Sequence, residues 1–195
     1  MFDLIKESYT TTYKLLQEFI KSPENIELTQ QIGTKLAEIF KSGGKVIICG
    51  NGGSATDAMH FAEEFTGRFR SNRKALPAIA LTDSSHITCV GNDYGFAEIF
   101  ARGVEAYAKP GDMVIGLSTS GNSENIIRAF QKSREISCTT VALLGKDGGK
   151  IAGKCDFEFI IPGKTSDRIQ ELHMIILHIV IEVVERTMFP ENYEK

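Results

Sequence analysis

Short apolar segments alternate with amphipathic helical patterns along this chain. Five runs rich in valine, isoleucine and leucine are each bounded by glycine, aspartate, serine or proline, and helical patterns lie between them. Alternation of this kind predicts βαβ units and a parallel sheet that helices cover on both faces. The runs that we expect to form strands are residues 45–50, 76–82, 113–118, 139–144 and 157–161.

Three longer helical patterns flank this predicted sheet. The first two cover residues 2–20 and 24–41, and the third covers 166–188 with the apolar centre IILHIVIEVV. A helix so apolar needs cover on several sides. From pattern alone, these helices either pack on their own subunit or form the bundle of a homo-oligomer. We expect one domain, with N-terminal helices over 1–42, an α/β core over 43–165 and a C-terminal helix over 166–190.

Composition and charge are those of an ordinary globular protein. The net charge is -3, and the basic residues form no stripe of the kind that binds nucleic acid. No apolar run approaches the ~18 residues of a membrane span, and the N-terminus lacks the core of a signal peptide. Four scattered cysteines without a C-x-x-C pair are expected to be small buried residues in a reducing compartment, which predicts a cytoplasmic location. They are Cys49, Cys89, Cys138 and Cys155.

The densest basic segment is RFRSNRK at residues 68–74. We expect a solvated turn here. Contact with an anion or with a neighbouring subunit is the alternative.

Two polar turns follow predicted strands at their carboxyl ends, which is where open parallel sheets bind ligands. The first is GNGGS at residues 50–54, and the second is STSGNS at 118–123. The second turn carries four hydroxyl groups before a helix N-terminus, which suits a phosphate oxyanion. It lacks the lysine of a P-loop, so a nucleoside triphosphate is not expected. An ordinary helix N-cap is the alternative.

The first turn matches the dinucleotide fingerprint G-x-G-x-x-G/A, but the rest of that signature is missing. A dinucleotide site requires an acidic residue about 20 positions further on. Asp83 lies 33 residues after Gly50, in a turn that can simply cap the next helix. The glycines therefore indicate close backbone approach to another ligand, with Asn51 and Ser54 as polar donors.

A candidate acid–base or metal constellation lies on two predicted helices. His60 and Glu64 are four residues apart and share one helix face. Gln170 and His178 share a face of the last helix. If the two helices meet at the mouth of the sheet, two histidines and one carboxylate form a set that can bind Zn²⁺ or a similar ion and leave a position open for substrate. An acid–base pair and a mutually satisfied polar pair are the alternatives.

The two remaining histidines are expected to lie elsewhere. His173 is ~140° around the helix from His178, so the two do not reach one site. Its expected partner is the backbone or another subunit. His86, in a polar turn, is expected to be solvated.

Four segments of the chain, in order, resemble the phosphoheptose isomerases, which are built on the sugar-isomerase (SIS) domain. They are CGNGGSATDAMHFAEEFTGRFR, GNDYGF, GLSTSGNSENI and RIQELHMIILHIVIEVVE. The resemblance implies a three-layer α/β/α fold with a five-stranded parallel sheet and extra terminal helices that assemble a homotetramer, with active sites at subunit interfaces. It implies isomerisation of sedoheptulose 7-phosphate to D-glycero-D-manno-heptose 7-phosphate through an enediol, the first step of nucleotide-activated heptose biosynthesis. Lipopolysaccharide, capsule and protein glycan all stay open as destinations of the product.

The resemblance also implies roles for individual residues. Glu64 and His178 match the family's proposed acid–base pair. The ligands in members that carry zinc, one ion per subunit, match His60, Glu64, Gln170 and His178. Arg68 is implied to serve a neighbour's site. The implied substrate-binding residues are Asn51, Gly52, Gly53, Ser54, Glu64, Asn92, Asp93, Ser118, Thr119, Ser120, Ser123 and Gln170.

Two other functions are compatible with the same fold. One related SIS protein is a scaffold for the replication initiator DnaA, and its helix keeps the histidine but lacks the glutamate four residues later. This chain has that glutamate, Glu64. An SIS isomerase or sensor of another phosphosugar is the second alternative. The expected partner is thus a small sugar phosphate, with no nucleic acid and no membrane.

Overall fold

Strands and helices alternate along the chain as the apolar pattern predicts. The computed structural model describes residues 1–194. Its strands are β1 (Val46–Gly50), β2 (Ala78–Ala80), β3 (Met113–Ser118), β4 (Thr139–Gly145) and β5 (Phe157–Ile161). Its helices are α1 (Phe2–Lys21), α2 (Pro23–Lys41), α3 (Gly53–Thr66), α4 (Ser84–Asp93), α5 (Ile99–Tyr107), α6 (Glu124–Ile136) and α7 (Ser166–Met188).

The five strands form one parallel sheet in the order β2-β1-β3-β4-β5. Strand β2 lies at the edge and pairs with β1 alone, from Val46 opposite Ala78 to Ile48 opposite Ala80. The predicted strand at 76–82 is therefore too long. An edge strand has one partner to hold it extended, and Pro77 has no N–H to donate to a ladder.

Alternate residues along each strand enter two separate cores, which makes the fold three layers deep. Met113, Ile115 and Leu117 of β3 are buried with α2, α3 and α7 on one face of the sheet. Val114 of the same strand is buried with α5 and α6 on the other face. The predicted α/β/α arrangement with a parallel sheet covered on both faces is confirmed.

The terminal helices pack to different degrees on their own subunit. Helix α2 contributes buried residues to the core beside α7. Helix α1 contains no buried residue, although Thr12 Oγ1 donates to Glu171 Oε2 of α7 at 2.5 Å. Its apolar side chains Phe2, Tyr9 and Tyr13 are exposed. None of the helices in residues 1–194 combines the length and the apolarity that crossing a membrane requires.

The four cysteines are free thiols, of which two are buried, one is half-buried and one is exposed. Burial raises the pKa of Cys49 and Cys155 to about 12 and that of Cys138 to about 11. These three thiols are therefore protonated and unreactive at neutral pH. The prediction that all four cysteines are buried is wrong for Cys89, which is exposed on α4, and holds only in part for Cys155, which is half-buried.

His173 is fully buried, and its Nε2 donates to the carbonyl oxygen of Leu144 at 3.0 Å. The prediction of a backbone partner away from His178 is thus confirmed. Burial lowers the pKa of His173 from 6.5 to about 4, because a charged imidazole has no solvent here and its Nδ1 has no hydrogen-bond partner within residues 1–194.

This depressed pKa predicts a specific acid sensitivity of the fold. The unfolded chain binds a proton at His173 near pH 6.5, whereas the folded chain binds it only near pH 4. The stabilisation of the folded state that requires neutral His173 is therefore complete above pH 6.5 and is lost as the pH falls toward 4. The loss is on the order of 3 kcal/mol. His173→Gln, whose amide still has a donor for Leu144, is expected to flatten this part of the pH profile in denaturant unfolding. An unchanged slope between pH 6.5 and 4 would contradict the assignment.

Candidate active site

The two polar turns meet at the carboxyl edge of the sheet. The turn after β1 leads into α3 on one face, and the turn after β3 leads into α6 on the other face. Because β1 and β3 are neighbours in the sheet, the chain reverses its winding direction between them. A crevice opens at such a point in doubly wound sheets, and ligands bind there.

A reciprocal amide pair joins the two turns across this crevice. Asn51 Nδ2 donates to Asn125 Oδ1 at 3.0 Å, and Asn125 Nδ2 donates to Asn51 Oδ1 at 2.8 Å. Asn125 is 2% exposed. The side chain of Asn51, predicted as a ligand donor, is therefore occupied within the protein, and Asn125 is a structural partner that sequence reasoning did not single out.

This pair is expected to couple the two turns energetically. Alanine at either position leaves one amide without its partner, which costs about 1–3 kcal/mol, whereas the double substitution removes both groups. A double-mutant cycle on the free energy of unfolding should give a coupling of about 1 kcal/mol between Asn51 and Asn125. Strictly additive losses would show that the pair does not hold the turns together.

Hydroxyl groups crowd the second turn and are not used to cap its helix. Ser118 Oγ and Ser123 Oγ are 3.0 Å apart, and Ser120 Oγ accepts from the backbone N–H of Asn122 at 3.2 Å. Ser123 occupies the N-cap position of α6 without a side-chain capping bond. Thr119 Oγ1 lies 3.0 Å from Ser166 Oγ, at the start of α7. These hydroxyls, together with the free N–H groups at the start of α6, are the donor types that an anion site requires.

The glycine-rich loop after β4 supports the second turn from behind, a contact that sequence reasoning missed. The N–H of Lys150 donates to Asn122 Oδ1, and the N–H of Ile151 donates to the carbonyl of Gly121, both at 3.1 Å. A methyl group on Gly121 would lie 1.9 Å from the carbonyl oxygen of Gly148. The segment KDGGK at 146–150 was the available signal.

The predicted constellation forms where α3 packs against α7. One ligand atom each from His60, Glu64 and His178 lies within 4.8 Å of the others. His60 Nε2 is 3.3 Å from Glu64 Oε1 and 3.4 Å from His178 Nε2. Tetrahedral Zn²⁺ with bonds of 2.0–2.1 Å holds its ligand atoms about 3.3–3.4 Å apart. The two separations from His60 and the donor types therefore fit a zinc ion.

The surroundings of His178 favour its neutral form. Burial lowers the pKa of His178, and the neighbouring His60 lowers it further. The ring of Phe69 stacks near the imidazole, with centroids 6.0 Å apart and an interplanar angle of 22°. A neutral imidazole has a free lone pair, which both a metal ion and a general base need.

Gln170 lies at the other end of the contact between the two helices. Its Nε2 donates to Ser54 Oγ at 3.3 Å, and its amide lies so close to Gly53 that a methyl group there would be 2.7 Å away. Gln170 and His178 are eight residues apart on α7, about 12 Å along the axis. The structure thus places Gln170 beside the first turn, with Gly52 exposed next to it.

The remaining predicted residues lie on the surface. Asn92 and Asp93 are exposed at the end of α4, where Asn92 Nδ2 donates to Asp93 Oδ1 at 2.8 Å. Arg68 is also exposed. Asp83 caps α4 by accepting from the N–H of His86 at 2.7 Å, as the capping alternative to a ribose site predicts. His86 is not simply solvated, because its Nε2 donates to the carbonyl of Ile99 at 2.9 Å.

Asp57 was not predicted, although it lies one turn before His60 on the same helix. Its Oδ2 is buried and has no hydrogen-bond partner among the described residues. Burial raises its pKa to about 6, and the charge of His60 counteracts part of that rise. The signal in the sequence was an aspartate three residues before His60, a spacing that brings two side chains together on a helix. The half-buried carboxyl extends the polar face of α3 toward the first turn.

Comparison with known proteins gives one consistent family. The family model described as the SIS domain matches residues 8–145. The chain is 64% identical over 186 residues to the phosphoheptose isomerase of Fusobacterium nucleatum subsp. nucleatum, covering 95% of this chain and 96% of that protein. It is 51% identical over 187 residues to the phosphoheptose isomerase of Escherichia coli K12, covering 95% of this chain and 97% of that one.

Solved structures agree with this comparison. Phosphoheptose isomerase GmhA from Neisseria gonorrhoeae superposes with a TM-score of 0.87 and 37% identity, covering 94% of this chain and 97% of that one. A phosphoheptose isomerase from Francisella tularensis superposes with a TM-score of 0.88 and 33% identity, covering 95% of this chain and 98% of that one. The similarity therefore includes the terminal helices as well as the sheet.

Proposed function

Since this chain belongs to the phosphoheptose isomerases of the SIS-domain family, we propose that it converts D-sedoheptulose 7-phosphate to D-glycero-D-manno-heptose 7-phosphate through an enediol. It is a sugar-phosphate isomerase, and the observation that carries the proposed chemistry is the cluster of His60, Glu64 and His178 beside a hydroxyl-rich turn. The cluster transfers protons, and the turn binds the phosphate.

The reaction needs one group to remove a carbon-bound proton and another to move protons between two oxygens. A base takes the proton from C1 of the ketose, and the electron pair forms the C1=C2 double bond of the enediol while O2 gains a proton. Return of a proton to C2 and loss of one from O1 then leaves the carbonyl at C1. We assign these transfers to Glu64 and His178, which lie within one ligand cluster and differ in acid–base character.

The donor set fits a zinc ion, one per subunit, held by His60, Glu64 and His178, with Gln170 as the fourth predicted ligand. Bound there, Zn²⁺ would act as a Lewis acid that polarises the substrate oxygens, a contribution of several kcal/mol. Gln170 bonds to Ser54 in this structure, so ligation requires its amide to turn away from the first turn. Glu64 has a second carboxylate oxygen for proton transfer when one binds the metal.

The opposite end of the sugar carries the phosphate. We propose that Ser118, Thr119, Ser120 and Ser123 bind its oxygens through hydroxyl and backbone N–H groups at the start of α6. Gly52, Gly53 and Ser54 approach the substrate from the first turn, where Asn51 positions the backbone through its bond to Asn125. We also assign contacts with the sugar hydroxyls to Asn92 and Asp93, which are exposed at the end of α4.

One experiment tests the proposed function. The purified protein is incubated with sedoheptulose 7-phosphate, with and without a chelator, and products are identified by NMR. We expect the heptose 7-phosphate, with a lower rate after chelation. No conversion under either condition would contradict an enzymatic function and leave the scaffold or sensor functions, whereas conversion of a different phosphosugar alone would contradict the substrate.

We propose that the assembly is a homotetramer formed by the terminal helices in the cytoplasm. An apolar cavity of about 440 Å³ lies between α1, α2 and α7, and Ile20, Ile26 and Ile179 at its mouth are exposed. We assign this cavity to a second copy of the chain, whose exposed apolar face on α1 matches its apolar lining. Arg68, exposed near the site, is then free to reach a neighbour's substrate. Light scattering should give the mass of four chains of 21.5 kDa, and a monomer would contradict this assembly.

A further inference from the structure

One member of the basic segment at 68–74 is buried, contrary to the expectation of a solvated turn. The side chain of Arg73 is 1% exposed and ends against the C-terminus of α3. Its Nη2 donates to the carbonyl of Glu64 at 2.6 Å, and its Nη1 donates to the carbonyls of Phe65 at 2.7 Å and Gly67 at 3.0 Å. The guanidinium thus satisfies carbonyl groups that the last turn of a helix leaves free, at the negative end of the helix dipole.

The same guanidinium is fixed to α7. Arg73 Nε donates to Glu185 Oε1 at 2.7 Å, and the Glu185 side chain is 0% exposed. The other carboxylate oxygen, Oε2, accepts from Tyr193 Oη at 2.8 Å. Glu185 follows His178 by seven residues on α7, so both lie on the face turned toward α3, about 10 Å apart.

The two helices therefore contact each other through two polar layers. In one layer, His60 and Glu64 of α3 face His178 of α7. In the other, two turns further along α7, Arg73 joins the carbonyl of Glu64 itself to Glu185. Hydrogen bonds in which one partner is charged are strong when they are buried. A guanidinium that donates several such bonds fixes the direction of its partners as well as their distance.

We propose that Arg73 and Glu185 are positioning residues of the active site: the pair sets the separation of α3 and α7, and with it the approach of His60 and Glu64 to His178. This inference rests on the proposed function for its catalytic consequence, but its geometric consequence stands on the contacts alone. A buried ion pair is a poor source of stability compared with apolar packing, so a role in fixing geometry also accounts for its presence.

Two sets of variants separate positioning from general stability. Glu185→Gln keeps the bonds of Arg73 to α3 but weakens the tie to α7. The double variant Arg73→Met with Glu185→Met removes both charges together, so no unpaired charge stays buried if the single variant folds poorly. The control is Asp112→Asn, which breaks another buried ion pair, with Lys45 at 2.5 Å, at the amino-terminal edge of the sheet far from the site.

Three measurements are compared with the wild type. We expect the Zn²⁺ dissociation constant, from competition with a chromophoric chelator, to rise about 10–100-fold in both pair variants. We expect kcat for sedoheptulose 7-phosphate to fall by a similar factor with KM little changed, since a small displacement of reacting groups acts on the chemical step. Crystal structures should show His60 Nε2 and His178 Nε2 farther apart than 3.4 Å. Asp112→Asn should lose stability without these changes.

The outcomes separate this inference from the proposed function. If the wild-type protein shows no turnover, the proposed function is overturned. The distance between the imidazoles of His60 and His178 in the Arg73 and Glu185 variants still decides the positioning role in that case. An unchanged separation in folded pair variants, together with wild-type Zn²⁺ affinity, would overturn it. Equal effects of Asp112→Asn on Zn²⁺ affinity and kcat would also overturn it, because stability alone would then explain the losses.

Discussion

Glu64→Gln is expected to lower kcat for sedoheptulose 7-phosphate by about 10³-fold, which raises the activation barrier by about 4 kcal/mol. The amide has the shape of the carboxylate but cannot accept a proton from carbon. Within residues 1–194, Glu64 is the only carboxylate of the cluster with His60 and His178, so we expect it to carry the proton transfer from carbon. Turnover is measured by NMR of the sugar phosphates, and folding by circular dichroism.

The chain provides a matched control for this substitution. Glu63 is the preceding residue of the same helix and is exposed, so Glu63→Gln makes the same chemical change outside the site. It is expected to retain nearly full turnover. His178→Ala should abolish turnover while the fold persists, since His178 acts in the same proton transfer sequence as Glu64. Near-normal turnover of either variant would contradict the assigned acid–base pair.

Gly121→Ala is expected to lower the free energy of unfolding by about 2–5 kcal/mol and the melting temperature by about 10 °C. Gly121 has φ +63°, where an L side chain costs roughly 1–2 kcal/mol. The added methyl group would also lie 1.9 Å from the carbonyl oxygen of Gly148. The hydroxyl-rich turn and the loop behind it must then separate, so affinity for the phosphate should fall with stability.

Gly111→Ala separates the two causes of this loss. Gly111 has φ +87°, but a methyl group added there would have no neighbouring atom within 4 Å, so alanine carries the conformational cost without a clash. Thermal unfolding should show a loss of about 1–2 kcal/mol for Gly111→Ala and a clearly larger loss for Gly121→Ala. Equal losses would show that the contact with Gly148 is unimportant.

The sequence predicts this fold well because its strands are continuous apolar runs between strong turn signals. β3 and β5 have the predicted bounds, and β1 and β4 differ from the prediction by one residue. The exception, β2, is short for a reason that local pattern does not contain: it is the edge strand, and strand order is a property of the whole sheet.

The active site was predictable to the extent that helical spacing determines it. His60 and Glu64 share a face by sequence alone, and so do Gln170 and His178. The pairs Asn51–Asn125 and Arg73–Glu185 were not predictable, because their members are 74 and 112 residues apart and meet only through packing. A cluster of arginines looks alike in a sequence whether it is solvated or buried.

On the proposed function, the two cores of the sheet also set a length for the substrate. The proton-transfer groups lie on α3 and α7, on one face, while the hydroxyl-rich turn leads into α6 on the other. On the proposed function, the sugar lies across the edge of the sheet with its carbonyl toward one layer and its phosphate toward the other. The distance across the edge of the sheet then determines how many carbons can separate those two groups in a substrate. A shorter phosphosugar anchored at the turn would hold its carbonyl out of reach of Glu64 and His178.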